Sequence, residues 1–145
     1  MGGQRVTQAA EAAAIASGII SVQPVATQYM PLFVAERKTV IEALHLRFVA
    51  AAGSARVGQL MYVQSGKAMS DTDYRVKITE TAAGAADLDF NGTANTNQTG
   101  TFKLTSGVPA NNIVPAGSLV FVAMDGAAGF LNGVVFTIRY STVIK

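Results

Sequence analysis

The chain has no cysteine, no tryptophan and one histidine, and only 14% of its 145 residues are charged. Each shortage removes a class of chemistry. Without cysteine there is no disulfide, no thiolate zinc site and no thiol nucleophile, and the redox compartment stays open. One histidine cannot build a histidine-based metal centre, because a single ligand is not a site. The basic excess is slight: 11 Lys and Arg stand against 9 Asp and Glu, for a net charge of +2. These cations are scattered, so no stripe follows a phosphate backbone and no nucleic-acid partner is expected.

Long hydrophobic runs are also missing. The best, Ala12 to Val22, is about half of the ~20 residues that a bilayer-spanning helix needs. It makes a poor signal peptide, with only Arg5 before it and Glu11 at its edge. The opening MGGQRV has Val6 where an acylation signal wants Ser or Thr. The expectation is a soluble, untargeted chain with no membrane partner.

What is present is apolar material. Half of the residues are hydrophobic, and the mean hydropathy is +0.32. A chain of this length forms one domain that buries about two thirds of its unfolded surface. Such low charge implies that some remaining surface is covered by a partner or by copies of the chain.

Residues 1–28 differ from the rest. TQAAEAAAIAS, residues 7–17, is rich in strong helix formers, with Thr7 placed to cap the start and Gly18 just past the end. The reading is an N-terminal arm carrying a short helix, followed by an extended connector through Pro24. From residue 29 the period becomes two. Leu44, Leu46 and Phe48 alternate with His45 and Arg47; Tyr74, Val76 and Ile78 with Arg75, Lys77 and Thr79; Val134, Phe136, Ile138 and Tyr140 with Val135, Thr137, Arg139 and Ser141. Phe102 and Leu104 flank Lys103 in the same manner. These are half-buried strands, separated by turn segments such as AAAGSA (50–55), QSGKAMSD (64–71) and PAG (115–117). The expectation for 29–145 is an all-β, jelly-roll-like antiparallel sandwich. Glu36-Arg37-Lys38 falls at a solvated bend between two strands. SLVFVAMD, residues 118–125, is apolar on both faces, so one face belongs in the core and the other near an interface.

Three stretches invite a chemical reading. His45 stands on an outward strand face beside Arg47, where it would suit a general base. No motif arranges a serine and a carboxylate around it, and a surface or interface histidine is the plainer reading. GSARVG, residues 53–58, has phosphate-loop glycines but lacks the following Lys and Ser or Thr, so it reads as a hairpin loop. In DLDFNGTANTNQ, residues 87–98, Asp87, Asp89, Asn91 and Gln98 occupy positions one, three, five and twelve of a calcium loop, with Gly92 at six. Gln98 cannot supply the bidentate carboxylate, and no helices flank the loop. A strand ending in an Asn91-Gly92 turn is the plainer reading of the same letters, so no metal is expected. No cofactor is expected.

The order PLFVAERKTVIEALHLRF, then polar hairpins, then NNIVPAGSLVFVAMDG and a closing GVVFTIRY resembles the small β-sandwich structural proteins of tailed bacteriophages over about residues 29–145. That resemblance implies a non-enzymatic virion protein without small-molecule substrate, made in the host cytoplasm. Within the group, a compact body, low charge and an alanine-rich arm suit a capsid decoration (cement) protein on the head surface. Tail or head-fibre attachment and receptor binding are alternatives, and a carbohydrate-binding sandwich module is one of another class. The implied partners are the capsid protein and copies of the chain, as a trimer about a three-fold axis. Ile15, Ile19, Ile20 and Val22 on the arm, and Val120, Val122 and Met124 on the doubly apolar strand, are the expected contact residues.

Overall fold

Period-two patterning is realised as strands throughout. The computed structural model describes residues 11–22, 28–50, 56–80, 88–89, 97–126 and 131–143, and among them there is no helix. The strands are β1 (Glu11–Val22), β2 (Gln28–Val34), β3 (Thr39–Ala50), β4 (Arg56–Val63), β5 (Arg75–Lys77), β6 (Leu88–Asp89), β7 (Asn97–Thr99), β8 (Leu104–Thr105), β9 (Val108–Pro109), β10 (Ile113–Val114), β11 (Leu119–Gly126) and β12 (Leu131–Val143).

All of their pairings are antiparallel. Sheet A runs β1-β12-β3, and β10 and β7 share the remaining edge of β3. Sheet B runs β2-β11-β4, and β5 and β6 share the remaining edge of β4. A short hairpin joins β8 to β9.

The sheets meet through one apolar cluster. Ile41, Leu44, Phe136 and Ile138 of sheet A pack with Leu60, Tyr62, Val120 and Val122 of sheet B, joined by Ala35, Ile78 and Val114. Each such aliphatic side chain contributes roughly 1.5–3 kcal/mol when fully removed from water. Burial also pushes the Tyr62 hydroxyl above the usual phenol range. The other face of β11 is covered as well. Phe121 is fully buried beside Met61 and Val63, and Met69, from the β4–β5 loop, packs over them with Tyr29. Both faces of SLVFVAMD are therefore occupied within this chain at Val120, Phe121 and Val122.

Two bulges set the register. Tyr140 pairs with Ile41 but Arg139 pairs with Ala43, which leaves Glu42 as the extra residue. Val120 pairs with Phe33 and Phe121 with Pro31, which leaves Leu32 extra. Pro31 lies on an edge strand and beside the bulge, the places where a sheet tolerates proline.

The helix expected over residues 7–17 is not what the described part of that segment forms; Thr7 and the residues up to 10 lie outside it. Residues 11–22 are strand, registered from Glu11–Val143 to Val22–Leu131 against β12. Three turns of alanine are marginal as a helix in water. A long ladder on an existing strand satisfies the same backbone groups, and Ile15, Ile19, Ile20 and Val22 are β-branched and suit it.

Candidate functional site

The outward face of sheet A gathers polar side chains in rows, because directly paired residues share a face. One row runs Ser17, Thr137, His45, Thr99 by register. The row on one side is Ile15, Arg139, Ala43, and on the other Ile19, Val135, Arg47, Asn97. Neighbouring strands lie about 4.8 Å apart, so the central row crosses the sheet in roughly 15 Å.

Within this face His45 Nδ1 lies 3.2 Å from Thr99 Oγ1, which fixes the ring against β7. Arg139 Nε donates to Glu42 Oε2 at 3.0 Å, so the bulge residue of β3 is tied to the neighbouring strand β12. The Arg139 side chain is 60% exposed, and Val135, Arg47, Asn97 and Thr99 are exposed too. The result is a slightly basic face of hydroxyl, imidazole, amide and guanidinium groups. It can dock a surface or hydrogen-bond a ligand.

A second feature is an open groove of about 400 Å³ at one end of the sheets, lined by Phe33, Val34, Glu36, Arg37, Tyr140 and Thr142 among others. Phe33 and Tyr140 stack in its wall. Apolar exposure also occurs on the β8–β9 hairpin, at Leu104 and Val108, and beside it in sequence at Ile113. Beside sheet B, Lys67 Nζ sits 3.9 Å over the Tyr74 ring, and Arg75 donates to the Tyr29 hydroxyl at 3.3 Å.

The residues singled out from the sequence separate as follows. His45 is on the outer face. Ile15 and Ile19 hold register positions in its rows, and Ile20 and Val22 follow on β1. Val120 and Val122 are fully buried in the core, and Met124 lies on β11 opposite Gly58 and Gln28. Of the calcium-loop positions, Asp87 and Asn91 lie outside the described residues. Asp89 pairs with Val57 in sheet B, whereas Gln98 pairs with Leu46 in sheet A. Among the described residues no group of three or more His, Cys, Asp or Glu is placed to hold a metal ion. Thr99 and Asn97 were missed as residues of this face. NQT reads locally as a glycosylation acceptor, and nothing in it announces pairing with residues 45–47.

No protein-family model matches the chain, and no curated protein matches it. Among solved structures, a chain in the structure of infectious bursal disease virus, Gx strain, is similar over 93% of this chain with a TM-score of 0.41 and 12% identity. This chain spans 37% of that one.

Proposed function

We propose that the protein is a non-enzymatic structural protein of a phage virion, a decoration protein that binds and stabilises the head shell through capsid protein and copies of itself. The strand order carries this reading. Counting β5 with β6 and β7 with β10 as single edge positions, the sheets run 1-8-3-6 and 2-7-4-5. Those pairings arise when one long antiparallel hairpin, pairing 1 with 8, 2 with 7, 3 with 6 and 4 with 5, is rolled into two sheets. This is jelly-roll logic, an architecture recurrent in viral capsid and lectin domains. The early PLFVAERKTVIEALHLRF and late NNIVPAGSLVFVAMDG stretches, on which the phage resemblance rests, form β2–β3 and β10–β11 here.

The test is to mix purified protein with phage heads lacking it, pellet the particles, and heat or chelate them. Saturable co-sedimentation with raised resistance supports decoration. Binding to tails alone would move the protein to fibre attachment, and binding to neither would overturn the virion reading. The Thr137-His45-Thr99 row gives one specific reason to keep a sugar-binding module as second reading, since it aligns hydrogen-bonding groups on one sheet face. A glycan array decides that case.

A further inference from the structure

The described edges of the two sheets are not alike. On sheet B, β2 is a seven-residue edge interrupted by Pro31 and by the bulge at Leu32. Both devices blunt an edge against pairing. The other edges are made of β5, β6, β7 and β10, of three, two, three and two residues. Short edges offer little ladder to a partner. β1 is the exception. It is twelve residues long, contains no proline, and carries no charge after Glu11. One side is paired with β12, regularly from Glu11 to Ile20, and no described strand pairs with the other.

A strand that covers the whole of this edge must match its length. Among the described edges of the molecule, only another β1 does. In place of the three-fold trimer that the phage resemblance implies, we propose that β1 pairs antiparallel with β1 of a second copy, about a two-fold axis normal to sheet A beside position 17.

Symmetry and overlap narrow the position to residue 16 or 17, and the pairing of the isoleucines selects 17. Rotation about an axis normal to the sheet keeps outward residues outward, so one residue must face its own copy. Ser17 is the midpoint of Ala12–Val22. Centred there, Ile15 meets Ile19, Ala13 meets Ser21, Ala16 meets Gly18 and Ala12 meets Val22. The Glu11 residues end up about 40 Å apart at ~3.4 Å per residue, well beyond a Debye length of ~10 Å at ordinary salt. Like charges therefore do not oppose the pairing. The outward N–H and C=O groups of both strands gain partners along the whole ladder. The two outer faces become one, with the Ser17-Thr137-His45-Thr99 row running through the axis into its copy.

The experiment measures the mass of the full chain by light scattering at micromolar concentration, with circular dichroism to verify folding. The wild type should have the mass of two chains. Position 17 pairs with Thr137 on the outward face, so Ser17→Lys should fold, place two lysines directly opposite each other and halve the mass. Ser17→Glu should do the same, and an equal mixture of the two variants should restore the double mass. Should either variant fail to fold, Ser17→Cys supplies the chain's only thiol: oxidation should cross-link it into dimers quickly, and Thr99→Cys on the opposite edge much more slowly. A monomeric wild type, a trimer untouched by Ser17→Lys, or equal cross-linking at both positions overturns the proposal. None of these outcomes depends on capsid binding, so this proposal and the decoration reading fail separately.

Discussion

Phe33 of sheet B and Tyr140 of sheet A stack with centroids 5.2 Å apart and planes 20° from parallel. The pair clasps the two sheets at the mouth of the groove, beside the 35–38 bend. Tyr140→Ala should remove this bridge and its half-buried apolar area, at a cost of about 2–3 kcal/mol. Tyr140→Phe should retain most of it. Urea midpoints at constant slope measure both, and equal midpoints for wild type and Tyr140→Ala would refute the clasp.

Glu80 holds two lysines at once, Lys77 Nζ at 2.7 Å and Lys103 Nζ at 3.0 Å. The hydrogen bond from Lys77 holds its carboxyl below the usual range, against an opposing push from burial, and Lys103 adds to the lowering. A depressed folded-state value means that the contribution is present above the ordinary carboxyl range. It is lost as pH falls through the folded value. Both lysine side chains are 38% exposed, so solvent screening holds the effect to about 1 kcal/mol or less. Stability of the wild type should therefore fall more steeply than that of Glu80→Gln between about pH 5 and pH 3. Parallel curves from acid titration would exclude the role.

The β8–β9 hairpin turns through Ser106 at φ 52° and Gly107 at φ 82°. Two consecutive positive values define the turn type whose twist matches antiparallel strands. Space is open around Gly107, so Gly107→Ala should lose about 1 kcal/mol from backbone conformation alone. Ser106→Gly relieves the side-chain strain there and should be neutral or slightly stabilising. Thermal melts of the pair test the assignment, and a harmless Gly107→Ala would contradict it.

Gly100 is a matter of space. A Cβ there would lie 3.2 Å from Leu44 Cδ2 and 3.3 Å from Thr79 Cγ2, and both residues are fully buried. Thr79 cannot retreat freely, because its Oγ1 accepts the Leu60 N–H at 2.8 Å. Gly100→Ala should destabilise by about 1–3 kcal/mol through overpacking. A crystal structure of the variant would show Leu44 or Thr79 displaced, and an unchanged melting temperature would exclude the clash.

The strands legible in the sequence are those whose two faces differ. In β3, Leu44 is buried while Arg47 is exposed, and in β12, Ile138 is buried while Arg139 is exposed. The bend at Glu36-Arg37-Lys38 falls between β2 and β3, where charge and a loss of alternation placed it. β1 was not legible, because Ala-rich residues carry a local helix preference while the pairing that overrides it comes from residues more than a hundred positions away. The bulge at Glu42 hides for a related reason: Ile41 and Leu44 are both buried although three apart, so a strict count of two breaks there. Leu104 shows the converse failure. Its alternation predicts burial, but it sits on a two-residue strand and is 55% exposed. The outer face was half legible, through His45 and Arg47. Its other members become neighbours only once the register of β7 and β12 is set.

The placement of β12 and β11 gives the fold a timetable. β12 lies between β1 and β3, and β11 between β2 and β4, so the middle of each sheet is supplied by residues after 118. During synthesis, four long strands leave the ribosome before the strands that join them exist. Joining the long strands must then wait until β11 and β12 have emerged, and this high contact order places folding in the millisecond-to-second range. Until that moment β1, β3, β2 and β4 all present unsatisfied edges. A chain cut after residue 118 lacks the central strand of each sheet, so it should expose those edges and aggregate rather than close either sheet.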